Sequence, residues 1–412
     1  MMNRVVITGL GAITPLGCDV AALWEGLVSG KCGIGPITKF DTCDHKAKLA
    51  AEVKDFDARQ YMDKSEVSRS DLYTQYAVAA ACQAVKDSGI AGAVAPERFG
   101  VYMGTGIGGI STFIIEHTKL IEKGPRRISP LFIPMMIANI ASGVIAIRYN
   151  CRGPAMPAVT ACASGANAIG EAARLIRHGY ADVMIAGGAE AAINPLAMAG
   201  FANMQALSTA DDPSAACLPF DSRRSGFVMG EGAAALVLEN YSHAVARGAK
   251  IYAELVGYGC TCDAYHITAP EPTSECGAHA IVDSLREAGY TPDDRIYINA
   301  HGTGTPYNDK AETQAIKIAL GEEVARRTPV SSTKSMTGHM LGAAGAVEAA
   351  AAVLALCEGT VPPTIGLSCP DPECDLDYVP LESRKYGFNL ALSVSLGFGG
   401  HNVCLAFRKL ET

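Results

Sequence analysis

A cysteine at the start of a small-residue stretch is the first group in this sequence that could carry covalent chemistry. Cys162 lies in the run Pro157-Ala-Val-Thr-Ala-Cys-Ala-Ser-Gly-Ala, where a short apolar strand gives way within a few residues to a helix of small side chains. Such an elbow presents a nucleophile, and the positive end of the helix dipole favours the thiolate and lowers the thiol pKa. The pattern therefore indicates acyl transfer. From this segment alone, a buried structural cysteine is the alternative.

Two histidines lie in glycine-rich turns that could supply partners for this nucleophile. His301 follows a predicted strand in the run Asn299-Ala-His-Gly-Thr-Gly-Thr-Pro. His339 precedes an alanine-rich helix in the run Ser332-Thr-Lys-Ser-Met-Thr-Gly-His. Each alone is more often a hydrogen-bonded structural histidine. Two of them in glycine-flanked turns, together with a remote cysteine elbow, favour acyl transfer.

A fourth run, Leu396-Gly-Phe-Gly-Gly-His-Asn, connects two predicted strands near the end of the chain. Its glycines permit positive φ, and they leave N–H groups free to form an anion-binding nest. The alternative is an ordinary tight connection between strands.

The elements that must position these groups follow an α/β pattern, in which short apolar strands alternate with alanine-rich helices. We predict strands at Arg4–Gly9, Phe99–Gly104, Pro157–Ala161, Ala181–Gly187, Ala234–Leu238, Ile251–Gly257, Arg295–Ala300, Leu390–Leu396 and Val403–Phe407. We predict helices at Asp71–Asp87, Gly165–His178, Ala278–Ala288, Lys310–Leu320 and Ala343–Cys357. The order looks duplicated, so we expect two halves in one compact unit, residues 1–250 with the cysteine and residues 251–412 with the two histidines.

Composition excludes several classes of protein. Of 412 residues, 49% are hydrophobic and 18% charged, which is enough to bury a large core. A net charge of −8 disfavours a whole-surface nucleic-acid binder, and we expect no nucleic-acid partner. The start lacks a secretory pattern, and the most apolar stretch, Phe132–Ile147, is interrupted by Pro134 and Asn139. We therefore expect a soluble, cytoplasmic protein with mostly free thiols and no membrane contact.

The four runs, in this order, closely resemble the condensing enzymes of the thiolase superfamily, and most of all the β-ketoacyl-[acyl-carrier-protein] synthases of type II in bacterial fatty-acid synthesis. The resemblance covers essentially the whole chain. It implies a thiolase-like five-layer α-β-α-β-α fold with two duplicated halves. It also implies a homodimer, with Phe132–Ile147 as a candidate for the interface or the pocket wall and a core helix as the alternative.

The activity that the resemblance implies is a decarboxylative Claisen condensation. An acyl chain held on Cys162 would react with malonyl-carrier protein to give a 3-oxoacyl thioester and CO₂, with no redox cofactor and no metal. His301 and His339 would be the paired active-site histidines, and Lys334 would support His339 electrostatically with Glu348 as its charge partner. The N–H groups of Cys162 and Phe398 would form the oxyanion hole, and the Phe398 ring would gate access.

The resemblance further implies a set of residues near the substrate and near the carrier protein. Those near the substrate would be Ile107 at the acyl pocket, His266 and Thr268 on a loop lining the pocket, Thr303 and Thr305 near the malonyl group and pantetheine arm, and Gly399. Candidates for docking an acidic acyl carrier protein are Lys64, Arg69, Lys123, Arg126 and Arg127, each of which could instead be an ordinary surface charge.

Two departures from the family pattern limit what is carried over. Val394 stands where some relatives have an asparagine of a monovalent-cation site, so we predict no bound metal. Gln205 stands where some relatives have a basic docking residue, so the details of docking stay open.

Four other interpretations fit parts of the sequence. Gly104-x-Gly-x-x-Gly109 matches a dinucleotide fingerprint, but no acidic residue closes a following strand. Cys260, Cys262, His266, Cys276 and His279 lie close enough in sequence for a zinc site, although the loop resembles a metal-free family loop. A non-catalytic scaffold would have replaced the nucleophile. A type II polyketide ketosynthase acting on a similar carrier protein stays open, and the acyl chains that load the cysteine would distinguish it.

Overall fold

The computed structural model describes residues 2–410. Its strands are β1 (Val5–Ile13), β2 (Gly35–Pro36), β3 (Leu49–Ala50), β4 (Phe99–Gly104), β5 (Ala155–Ala158), β6 (Val183–Glu190), β7 (Gly232–Asn240), β8 (Ala253–Cys262), β9 (Ile296–Asn299), β10 (Val330–Ser331), β11 (Thr360–Val361), β12 (Arg384–Lys385), β13 (Leu390–Gly397) and β14 (His401–Arg408). Its helices are α1 (Val20–Val28), α2 (Lys64–Ser68), α3 (Leu72–Ser88), α4 (Ile110–Lys123), α5 (Phe132–Met136), α6 (Ile140–Tyr149), α7 (Ser164–Arg177), α8 (Pro195–Asn203), α9 (Tyr241–Ala246), α10 (Glu275–Glu287), α11 (Asn308–Leu320), α12 (Glu322–Arg327), α13 (Lys334–Thr337) and α14 (Ala344–Glu358).

The central sheet consists of two copies of one strand arrangement. The first half has the order β5-β4-β6-β7-β1, and the second half has the order β10-β9-β13-β14-β8. In each half two parallel pairings are followed by two antiparallel pairings. The halves join edge to edge where β1 pairs antiparallel with β8, through Val6–Glu254 and Ile7–Ala253. This duplication confirms the thiolase-like fold predicted from the sequence.

Helices cover both faces of the strands and give the layered order. Helices α7 and α14 pack on each other and on strands of both halves, so they form the central layer. Helix α3 covers β1 and β7 on one outer face, and α10 covers β8 and β14 on the other. The segment Leu341–Glu358 has the length and hydropathy of a membrane span, but 89% of it is buried inside the protein. It is the core helix of the fold, and its alanines let strands approach closely.

The elements near the cysteine differ in detail from the prediction. Strand β5 lies at Ala155–Ala158 rather than at Pro157–Ala161, because the chain turns at Ala161, where φ is 50°. The apolar stretch Phe132–Ile147 is divided between α5 and α6, with Ile137 extended between them. Helix α4, which follows the glycine-rich turn after β4, was not predicted.

Candidate active site

Cys162 lies on a single 3₁₀ turn, Ala161–Ala163, between β5 and α7. Ala161 is in the left-handed region, which costs a non-glycine residue roughly 1–2 kcal/mol. Ser164 compensates by donating to the Ala161 carbonyl (2.6 Å) and accepting from the Thr160 N–H (2.9 Å). The turn therefore holds the thiol just before the N-terminus of a 14-residue helix.

The thiol of Cys162 is buried in an apolar cluster. Its members include Ile193, Met198, Phe227 and Leu341, and the half-buried Phe201 packs against them. Burial raises the pKa of Cys162 to about 12, against the opposing effects of the Lys334 charge and the Phe398 N–H. The net shift is therefore upward, opposite to the lowered pKa expected from the helix end alone, because removal from water disfavours the thiolate. The resting group is the thiol.

The glycine-rich loop after β13 closes over this elbow. A Cβ atom on Gly397 would lie 2.8 Å from the Thr160 carbonyl oxygen and 3.3 Å from the Cys162 nitrogen, so only glycine fits. The close approach brings the Phe398 N–H within hydrogen-bonding reach of the Cys162 thiol. The half-buried Phe398 ring lies 6.4 Å from the Phe201 ring. The exposed Gly399 has a φ of 89° and donates its N–H to the Ile267 carbonyl (2.8 Å).

His301 and His339 are both buried and face each other. Their ring centroids lie 5.2 Å apart with the planes at 86°, and Phe227 packs edge-on against His339 at 5.0 Å. Burial, and then the positive charge of Lys334, hold the pKa of each imidazole well below its usual value. Both rings are therefore neutral at physiological pH, and each carries one N–H donor.

Lys334 lies at the start of α13 with no exposed surface, and its three protons have three acceptors. They are His301 Nδ1 (3.3 Å), the His301 carbonyl (2.5 Å) and Glu348 Oε1. Because an ammonium group can only donate, His301 Nδ1 accepts and its proton must be on Nε2. The resemblance implied that Lys334 supports His339 electrostatically, whereas its direct contacts are with His301. It acts on His339 through its charge.

Two buried carboxylates that sequence reasoning missed hold the backbone of the His301 turn. Glu312 accepts the N–H groups of His301 (2.6 Å) and Gly302 (2.7 Å). Asp309 accepts those of Thr303 and Gly304, both at 3.2 Å. Both acids lie in the first turns of α11, in the run Asp309-Lys-Ala-Glu312 directly after the glycine-rich turn. That spacing was the available signal.

The predicted substrate-binding residues lie in three places. Thr303 and Thr305 lie on the His301 turn with hydroxyls 2.9 Å apart, and the buried Arg224 donates to the Thr305 carbonyl (3.1 Å). The exposed His266 caps its own loop by accepting the N–H of Thr268 (3.2 Å). That loop contacts Gly399 through Ile267. Ile107 is 39% exposed, on the turn between β4 and α4.

The predicted docking residues are all exposed and form two groups. Lys64 begins α2 and Arg69 directly follows it. Lys123, Arg126 and Arg127, with Lys119, line a surface cavity of about 260 Å³ at the end of α4.

The structure also bears on the two ligand alternatives. The N–H groups of Gly106 and Ile107, which would cradle a phosphate in a dinucleotide site, donate instead to the buried Glu190 carboxylate at 2.6 and 3.2 Å. Within residues 2–410, no group of three or more His, Cys, Asp or Glu side chains converges as a metal site. Cys260 Sγ instead accepts a hydrogen bond from Asn167 Nδ2 at 3.4 Å.

Four side chains with oxygen atoms could hold a cation behind Lys334. Within the described part of the chain, Glu348 Oε2, Asn299 Oδ1 and the hydroxyls of Ser393 and Ser395 are buried without hydrogen-bond partners. Ser393 pairs with Asn299 in the register of β13 and β9, and a Cβ on Gly345, one turn before Glu348, would lie 2.8 Å from Ser395 Oγ. Oxygen ligands suit hard cations. The absence of a metal, inferred from Val394, stays a prediction.

Comparisons with known proteins agree over nearly the whole chain. The family model for the beta-ketoacyl synthase N-terminal domain matches residues 2–244, and that for the C-terminal domain matches residues 252–368. A 3-oxoacyl-[acyl-carrier-protein] synthase 2 from Synechocystis is 55% identical over 411 residues, which cover 99% of each chain. A solved beta-ketoacyl synthase from Burkholderia phymatum is 36% identical with a TM-score of 0.93, over 100% of both chains. A further match is a chain in a solved structure described as a type II PKS acyl-carrier protein in complex with its ketosynthase bound to the hexaketide. That chain is 35% identical with a TM-score of 0.91, over 100% of both chains.

Proposed function

Because the chain belongs to the beta-ketoacyl synthase family, we propose that Cys162, His301 and His339 carry out 3-oxoacyl-[acyl-carrier-protein] synthesis in fatty-acid elongation. The observation that carries this proposal is the convergence of one thiol and two neutral imidazoles. Phe227 belongs to the cluster around Cys162 and packs on His339, which faces His301. The charge of Lys334 acts on all three groups: it opposes the rise in the pKa of Cys162 caused by burial, and it helps to lower the pKa of both imidazoles.

In the first half-reaction the acyl chain moves from its carrier to the enzyme. Cys162 Sγ forms a bond to the thioester carbonyl carbon, the bond to the pantetheine sulfur breaks, and the thiol proton leaves with the pantetheine thiol. The N–H groups of Cys162 and Phe398 stabilise the oxyanion formed in between. Since the resting thiol has a pKa of about 12, it loses its proton in the course of attack rather than before it.

In the second half-reaction the malonyl thioester loses CO₂, and its α-carbon attacks the acyl carbonyl. Negative charge builds on the malonyl thioester oxygen, where N–H donors from His301 and His339 stabilise it. A preorganised donor of this kind lowers the activation free energy by about 3 kcal/mol. The Cys162–acyl bond breaks as the carbon–carbon bond forms, and one proton from solvent restores the thiol. Residues 1–250 thus supply the nucleophile and residues 251–412 the histidines.

An acyl carrier protein is the partner that delivers both thioesters. The two exposed basic groups, Lys64 with Arg69 and Lys123 with Arg126 and Arg127, suit an acidic partner although the chain as a whole carries a charge of −8. The cytoplasm is its compartment, because its 14 cysteines are free thiols.

The assembly is a homodimer formed along strand β5. This strand ends the sheet and carries the exposed Met156, with the exposed Val159 directly beyond it. It contacts α6, which carries the exposed Ile147. An apolar edge strand in water is a template for pairing, and twofold symmetry lets two such edges pair with each other. Sedimentation of a stable monomer would contradict this assembly.

Incubation with acyl- and malonyl-carrier protein, followed by mass analysis of both the product and intact enzyme, tests the function. We expect an acyl adduct on Cys162 and a product longer by two carbons. An enzyme that rejects saturated chains but accepts polyketide starters would replace fatty-acid elongation with polyketide synthesis.

A further inference from the structure

Glu190 ends strand β6 and is fully buried beside the Cys162 elbow, yet none of the steps above uses it. Its Oε1 accepts from the Thr105 hydroxyl (3.0 Å) and the Ile107 N–H (3.2 Å). Its Oε2 accepts from the N–H groups of Gly106 (2.6 Å) and Gly342 (3.0 Å). Four donors offset the cost of burying the carboxylate, and they come from two separate turns that Glu190 joins.

The two turns meet backbone to backbone. A Cβ on Gly342 would lie 2.2 Å from the Gly106 nitrogen. A Cβ on Gly106 would lie 2.8 Å from Glu190 Oε2 and 3.6 Å from the Ala161 carbonyl, next to the nucleophile. No side chain can intervene, so the carboxylate fixes both turns against the elbow.

Each turn carries an apolar residue and connects to the apolar cluster around Cys162. The first carries Ile107 and leads into α4, whose Ile110 packs against the apolar cluster that contains Cys162. The second carries Leu341, a member of that cluster, with a φ of 46°. A non-glycine residue persists in this region only when its surroundings hold it there. The bond from Gly342 to Glu190 is one such restraint.

We propose that Glu190 is a positioning residue that sets acyl-chain preference, by holding Ile107 and Leu341 as the wall against which the chain on Cys162 packs. The inference rests on the function proposed above and names the residue that shapes its acyl pocket. A carboxylate is required because all four neighbours donate. A glutamine would turn its own N–H groups toward at least one of them.

The test compares Glu190→Gln with the wild-type enzyme in transfer of butyryl and dodecanoyl chains from carrier protein to Cys162. We expect the ratio of kcat/KM for dodecanoyl over butyryl to fall about tenfold, the order of effect of one buried donor left unpaired. Alkylation of Cys162 by iodoacetamide should keep its wild-type rate, because a small reagent needs no wall. Glu239→Gln is the matched control. Glu239 is equally buried but bonds Thr8, His243 and Arg247 away from the site, so the ratio should not change.

A second pair of variants decides the matter if Glu190→Gln does not fold. Thr105 donates to Glu190 and accepts the Gly108 N–H (3.1 Å), so Thr105→Val should lower the ratio and Thr105→Ser should keep it. An unchanged ratio, or equal losses for both chains, overturns the inference while the wild-type enzyme remains active. A wild-type protein that accepts neither chain would instead overturn the proposed function, and the inference with it.

Discussion

The two halves of the molecule share one local arrangement, a strand followed by a 3₁₀ turn and a helix, but the two copies place different residues at the turn. In the first half, β5 leads to a 3₁₀ turn at Ala161–Ala163 and then to α7; in the second, β10 leads to a 3₁₀ turn at Leu341–Ala343 and then to α14. Both turns open with a non-glycine residue in the left-handed region, Ala161 at 50° and Leu341 at 46°. The position that holds the proposed nucleophile Cys162 in one turn holds Gly342 in the other.

The difference lies in the chain leading to each turn. Only residues 159 and 160 separate β5 from its turn, whereas residues 332–340 separate β10 from its turn and include both Lys334 and His339. The longer connection brings a cation and an imidazole to a place where the first half presents only its thiol. In the proposed mechanism, one duplicated scaffold thus supplies the nucleophile from one copy and the N–H hydrogen-bond donors from the other.

The largest effect should follow loss of the nucleophile. We expect Cys162→Ala to reduce condensation by at least about 10³-fold, because no other group can hold the acyl chain, while malonyl decarboxylation continues on the histidines. Cys151→Ala is the matched control, since Cys151 is also 8% exposed but lies outside the Cys162 cluster. Mass analysis of the condensation product formed by each variant measures the effect. Undiminished condensation by Cys162→Ala would contradict the division of labour between the halves.

Loss of either imidazole should impair the other half of the reaction. We expect His301→Ala or His339→Ala to slow malonyl decarboxylation by about 10²–10³-fold, the effect of removing one preorganised donor. Release of CO₂ from malonyl-carrier protein measures it, and acylation of Cys162 should suffer less. His243→Ala, at a partly buried histidine bonded to Glu239, serves as the control. If acylation and decarboxylation fall together, the two functions are not divided as the comparison states.

A smaller effect separates the two buried carboxylates that hold turns in the two halves. Glu312, on α11, accepts the N–H groups of His301 and Gly302, which both belong to the second half. Glu190 instead joins a turn of the first half to a turn of the second. We expect Glu312→Gln to slow decarboxylation about tenfold, as one donor loses its acceptor, with no dependence on acyl chain length. Glu190→Gln should therefore change the chain-length preference, whereas Glu312→Gln should change the rate of decarboxylation. A change in chain-length preference in Glu312→Gln would remove the distinction.

The sequence was sufficient for the groups that lie within short runs. Cys162, His301 and His339 each stand in a run whose residue types reveal the local geometry, and the duplicated strand order follows from apolar runs that end in glycine. The partners of these groups could not be predicted in the same way. Glu190 meets Gly106 and Gly342 only after folding, so no spacing along the chain marks it.

Burial was the second quantity that the sequence could not supply. The elbow alone indicated a lowered thiol pKa, but the surrounding cluster comes from distant segments and reverses the direction of the shift. The contact of Lys334 with His301 rather than His339 likewise depends on how α13 packs against β9 and α14. The resemblance implied electrostatic support of His339, which the charge of Lys334 supplies, but it did not reveal the direct contacts with His301.

The smallest expected effect concerns the pH dependence of decarboxylation in the Cys162→Ala background, where acyl transfer does not contribute. Burial raises the pKa of Glu312 to about 7, so its carboxylate accepts both N–H groups above that pH and becomes a donor itself below it. The imidazoles, with pKa values well below their usual one, remain neutral throughout. We therefore expect the rate to fall a few-fold as pH drops through about 7. Glu312→Gln in the same background should abolish this limb of the profile. If the limb persists in that variant, it belongs to a histidine, and the second half is tuned by its imidazoles rather than by the carboxylate that holds them.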